Sequence, residues 1–150
     1  MHQCRLEFSR VVVLNDLAIT FLCVAGLRVL ICEDDALAAL SFTYILQNAG
    51  WQVVGPVHTA EEALADSYRH WPDLALIDIG LKGMIDGISV AAELVPLGVP
   101  VIFLTGNYQR AGHEGRELAT DILIKPVSPS MLNTMRMPVT VGPRKVCSPW

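Results

Sequence analysis

From residue 27 onward the chain alternates short apolar runs with longer stretches of helical spacing, and this alternation restricts the fold more than any other feature. The runs are residues 28–32 (RVLIC), 52–55 (QVVG), 74–79 (LALIDI), 99–104 (VPVIFL) and 122–124 (ILI). Each has the length of a strand and many carry β-branched residues. They show little alternation of apolar and polar positions, as strands buried on both faces require. Helices are predicted between them. The first covers about 36–48, with Leu37, Leu40, Tyr44 and Ile45 as its apolar stripe and Gly50 as its stop. The second starts at Thr59, where Thr59-Ala60-Glu61-Glu62 fits a capping box, and ends at Pro72. The third covers about 88–95, before Pro96 and Gly98; a fourth lies within 109–119; a fifth begins near Pro129 and is cut short by Pro138. Strand–helix alternation repeated five times predicts an α/β fold, a doubly wound five-stranded parallel sheet covered on both faces.

The 150 residues suffice for one ordinary domain, and an apolar fraction of 52% allows a sizeable core. We divide the chain into an N-terminal extension (1–26), the motif-bearing domain (27–137) and a tail (138–150) rich in Pro, Val and Gly that is expected to be loosely ordered. The apolar stretch 8–27 is interrupted by Asn15 and Asp16, and the clean run after them is too short to cross a bilayer. Its flanks suit a signal peptide poorly. An extra helix or strand docking on the domain, or a start assigned too early, is the preferred reading. A formal charge of −4 with scattered Lys and Arg argues against a nucleic-acid surface. Cys4, Cys23, Cys32 and Cys147 form no CxxC pair and no zinc spacing, so they read as free thiols of a reducing cytoplasm.

Ligands of open parallel sheets bind at the carboxyl ends of the strands. There the sequence places Glu33-Asp34-Asp35 after the first strand, Asp78 near the end of the third, Thr105-Gly106 after the fourth and Lys125-Pro126 after the fifth. Taken singly, most have plain structural explanations. Asp35 suits a helix cap, Thr105 a turn, and Lys125 a solvated edge. Asp78 is harder to dismiss, because an unpaired carboxylate in an apolar run is costly. Glu33, Asp34 and Asp78 would repel one another if left alone, and a hard divalent cation such as Mg²⁺ removes that conflict. With the Lys125 charge and the Thr105 hydroxyl, the set suits a phosphoryl group, with Asp78 as nucleophile.

VLICEDD (29–35), LALIDIGLKGMIDG (74–87), VIFLTG (101–106) and LIKP (123–126) resemble the receiver domain of two-component response regulators, the CheY-like fold. The resemblance covers about residues 27–132 and implies a flavodoxin-like strand order 2-1-3-4-5. It implies Glu33 and Asp34 as the acid pair, Asp78 as phosphoacceptor and metal ligand, and Gly80 as a carbonyl ligand to Mg²⁺. Thr105 and Lys125 would contact the phosphoryl group, and the Lys125–Pro126 bond is expected to be cis. The implied partner is a sensor histidine kinase or a histidine phosphotransfer protein. The expected protein is a cytoplasmic, stand-alone receiver, monomeric or weakly dimeric, with an unknown output partner, no direct DNA binding and no membrane association. It would be no enzyme beyond its own phosphorylation.

Two features depart from the family pattern. Ile122 stands at the usual aromatic switch position, which puts that switching account in doubt; Gly106, Asn107 and Gly112 would instead allow a mobile fourth-helix region. The fifth helix is short. Two other functions fit less well. A haloacid-dehalogenase-type phosphatase needs a DxD motif that Glu33-Asp34-Asp35 does not give, and a flavodoxin-type loop would not be acidic. The four histidines, His2, His58, His70 and His113, show no ligand spacing and read as surface residues.

Overall fold

The computed structural model describes residues 26–107, 109 and 111–135, together with the short strands Arg5–Glu7 and Arg144–Val146. Five strands form one parallel sheet: β1 (Arg28–Cys32), β2 (Gln52–Val57), β3 (Leu74–Asp78), β4 (Val101–Thr105) and β5 (Ala119–Ile124). Their spatial order is β2-β1-β3-β4-β5, the doubly wound order predicted. Every residue of β3 and β4 is buried, which explains why those segments read as unbroken apolar runs. β2 and β5 are the edge strands. An edge tolerates Pro56, so β2 runs to Val57, past the predicted end at Gly55.

The helices are α1 (Ala36–Asn48), α2 (Ala60–His70), α3 (Gly87–Leu94) and α4 (Pro129–Asn133). Asp35, Thr59, Asp86 and Ser128 cap them, each side chain accepting an N–H of the first turn. The Thr59–Glu62 capping box is formed on both sides. One core cluster packs β-strand residues such as Leu30, Ala75, Ile77, Val101 and Phe103 against α2 and α3. The other packs Ile31, Leu76, Ile102 and Leu104 against α1 and α4.

Two predictions need correction. Most of the stripe assigned to α1 points outward: Leu37, Leu40 and Tyr44 are 80%, 64% and 69% exposed, while its fourth member Ile45 is partly buried against the core and Ala39, Phe42 and Leu46 are buried. Helical spacing alone fits both faces of a mostly apolar helix, and volume against the sheet chose Phe42. Within 109–119, where a fourth helix was expected, Gln109 is helical and Ala111–Gly115 forms a π-helical turn. Gly115 closes that turn against the Phe103 ring, where a Cβ would sit 2.7 Å from Cε2. In the C-terminal tail, expected to be loose, Arg144–Val146 is a strand paired antiparallel with Arg5–Glu7. The remainder of the tail, most of the apolar stretch 8–27, and Cys4, Cys23 and Cys147 lie outside the described residues. Cys32 is a buried free thiol, and burial beside Asp78 and Glu33 pushes it up to about 12. No helix among the described residues is long and apolar enough to cross a membrane.

Candidate functional site

Parallel strands deliver their carboxyl ends to one edge, and four of them converge here. Glu33 follows β1, Asp78 ends β3, Thr105 ends β4 and Lys125 follows β5. Carboxylate oxygens of Glu33, Asp34 and Asp78 lie within 4.8 Å of one another. Lys125 reaches across the edge, its Nζ 2.6 Å from Glu33 Oε2 and 2.8 Å from Asp78 Oδ2. The second contact is a hydrogen bond. The first is an ion pair to a fully buried carboxylate oxygen, for which Lys125 is the close partner. Glu33 Oε1 accepts the Asp35 N–H at 3.2 Å, and Asp78 Oδ1 accepts the Gly80 N–H at 2.8 Å.

The electrostatics follow from burial. Glu33 is fully buried. Burial pushes its carboxyl above the ordinary range, and Lys125 and the Asp35 N–H oppose that only in part. Burial alone would lower the Lys125 ammonium, but the Asp78 and Glu33 carboxylates more than offset it and hold it above its ordinary value. Three carboxylates thus face one half-buried ammonium. Lys82, almost fully exposed, adds a contact of 3.3 Å to Asp34, which water and salt weaken.

The donor set fits Mg²⁺. It consists of hard carboxylate oxygens from adjacent strand ends, partly buried and in excess of the fixed positive charge beside them. Glu33, Asp34 and Asp78, the acids singled out in the sequence, are brought together. Gly80 lies beside them, with its N–H turned to Asp78. Thr105 sits at the edge, but its hydroxyl is engaged locally: Oγ1 donates to the Asn107 carbonyl at 3.0 Å and accepts the Asn107 N–H at 2.9 Å. The Lys125–Pro126 bond is cis, as expected. Ile122 is half-buried against the cluster that contains Phe103.

Two contributions escaped the sequence reading. Gly87, at the start of α3, lies directly on β3: a Cβ there would overlap the Asp78 carbonyl oxygen and sit 2.8 Å from Ile77 Cγ2. The closeness of Gly87 to Asp78 has no sequence signal. His58, read as surface, places Nδ1 2.8 Å from the Glu33 carbonyl oxygen. Nothing in its spacing announces a contact made across two strand ends.

Comparison with known proteins agrees with this geometry. The model of the response regulator receiver domain matches residues 29–136. The transcriptional regulatory protein PdtaR of Mycobacterium tuberculosis is 35% identical over 108 residues, which are 70% of this chain and 52% of that protein. The crystal structure of the response regulator PhyR from Brucella abortus superposes with a TM-score of 0.68 at 30% identity, over 77% of this chain and 48% of that one. A CheY-like receiver domain from Methylobacillus flagellatus gives a TM-score of 0.65 at 26% identity, over 72% of this chain and 93% of that one. The chain spans about half the length of the curated relatives it matches. With the sheet order, the acidic pocket and a family match over most of its length, the chain belongs to the response regulator receiver domains of two-component signalling.

Proposed function

We propose that Asp78 is the phosphoacceptor of a two-component relay, and that its phosphoryl group comes from the phosphohistidine of a sensor kinase or a phosphotransfer protein. The observation that carries this is the bridging of Asp78 and Glu33 by the Lys125 ammonium at the strand edge where Asp34 also converges. An Asp78 oxygen attacks phosphorus as the P–N bond of the donor breaks. The donor imidazole leaves with its electron pair and takes up a proton, and an aspartyl phosphate remains. Glu33, Asp34 and Asp78, with the Gly80 carbonyl, would hold Mg²⁺, which supplies charge neutralisation for the acids and the incoming phosphoryl oxygens.

Lys125 is placed to exchange its Asp78 hydrogen bond for one to a phosphoryl oxygen. Thr105 is one bond exchange from the same task, since its hydroxyl proton now serves the Asn107 carbonyl. Buried Glu33 keeps Lys125 charged and aimed. The reaction is a single transfer onto the protein, so the domain signals rather than turns over a substrate. Its setting would be the cytoplasm, with output through a protein partner. The test is phosphotransfer from a labelled sensor kinase with Mg²⁺ present. Label should move to the wild-type protein and not to Asp78→Ala. Equal labelling of both would refute the assignment.

A further inference from the structure

We propose that His58 is a positioning residue for the acid pair: its imidazole fixes the backbone of Glu33 and so sets the geometry of the metal-binding carboxylates. This rests on the phosphoacceptor reading above. The Glu33 carbonyl can only accept a hydrogen bond, so the Nδ1 that approaches it to 2.8 Å must carry the proton. Glu33 lies one residue past β1, where the ladder has ended, and its main chain is held by two consecutive residues of the neighbouring strand end. Its N–H donates to the Val57 carbonyl at 3.0 Å, and its carbonyl accepts from His58. A third tether, from Cys32 Sγ to the Thr59 carbonyl at 3.6 Å, joins the same two segments.

The sequence builds this clamp with a bulge. Leu30 pairs with Val54 and Cys32 with Val57, so β2 uses one more residue than β1 over that step. Gly55 makes the bulge possible. Its φ is +90°, and a Cβ there would lie 2.7 Å from the Val57 nitrogen, so no other residue fits without displacement. The extra residue brings His58 level with Glu33. The His58 N–H is in turn fixed by Glu62 Oε2 at 3.0 Å, an oxygen that the α2 capping box already orients. The residue is exposed, yet both its backbone N–H and its ring Nδ1 are engaged. Partners one step removed from the ligands commonly change metal affinity by about 10- to 100-fold. Acting through the backbone, His58 belongs at the lower end of that range.

The test is Mg²⁺ titration of the full chain by calorimetry, with thermal midpoints recorded alongside. His58→Phe keeps a ring and removes the N–H; His58→Asn keeps an N–H at the position of Nδ1; His58→Ala is a second deletion should the Phe variant fail to fold. Leu46→Ala destabilises the domain through a cavity under α1, in the other core cluster, and leaves the imidazole in place. The expected result is Mg²⁺ binding about tenfold weaker in the Phe and Ala variants, restored towards wild type by Asn. Leu46→Ala should lower the midpoint while binding Mg²⁺ as wild type does. Wild-type affinity in His58→Phe, or equal weakening in the Phe and Asn variants, would overturn the role of His58 alone. Absence of Mg²⁺ binding by wild type would overturn it together with the phosphoacceptor reading.

Discussion

At the residue scale the site is a charge imbalance held in place. Glu33 is buried, pushed up by that burial, and relies on Lys125 for its only close cation among the described residues. Removing one member of a buried pair typically costs about 3–5 kcal/mol, because the other charge stays behind. The Lys125 side chain is 27% exposed, so solvent already carries part of that load. We therefore expect Lys125→Met to lose about 1–3 kcal/mol of stability in the absence of Mg²⁺. Millimolar Mg²⁺ should recover part of the loss. Urea unfolding with and without Mg²⁺ checks both statements, and a variant as stable as wild type under both conditions would contradict them. Asp78 was legible at this scale because a carboxylate in the run LALIDI has no apolar reason to be there. Thr105 was legible as a candidate only, since its hydroxyl satisfies the turn as readily as a phosphoryl group.

At the scale of elements, packing decides what periodicity leaves open. Gly87 lets the first turn of α3 rest on the Asp78 backbone. Gly87→Ala should cost about 3 kcal/mol, at the upper end for overpacking, because the obstructing atoms are main chain and cannot swing away. Urea unfolding reads the loss, and a change below about 1 kcal/mol would show that α3 can shift freely. The two faces of α1 give a second expectation. Phe42→Ala or Leu46→Ala should each cost about 2–5 kcal/mol through the cavity left under the helix. Leu37→Ser and Leu40→Ser should stay within about 1 kcal/mol, as exposed positions do. The reverse order would restore the stripe inferred from the sequence. That inference failed because α1 is apolar on several sides, so a period of 3.6 could not choose between them. The caps at Asp35, Thr59, Asp86 and Ser128 were easier, since a polar residue before a helical run has one local role.

For the whole molecule, the alternation of five strand–helix units pointed to a parallel sheet covered on both faces, and the resemblance to receiver domains supplied its order. The contacts that tie strand ends together did not follow. The β2 bulge at Gly55, the approach of His58 to Glu33 and the seat of Gly87 on Asp78 all depend on register between segments far apart in the chain. The acids come from β1 and β3, neighbours in the middle of the sheet, so opening the site means opening the domain. Mg²⁺ should consequently stabilise the domain as one unit, by about 2.7 kcal/mol at a hundredfold excess over its dissociation constant. Fluorescence and circular dichroism transitions should shift together in wild type and stay put in Asp34→Ala. A Mg²⁺ effect seen by one probe alone would contradict this. The most direct measurement of the central claim is intact mass after incubation with a small-molecule phosphodonor and Mg²⁺. A single phosphoryl adduct that disappears in Asp78→Asn and without Mg²⁺ is the predicted result; an adduct of equal yield in Asp78→Asn would contradict it.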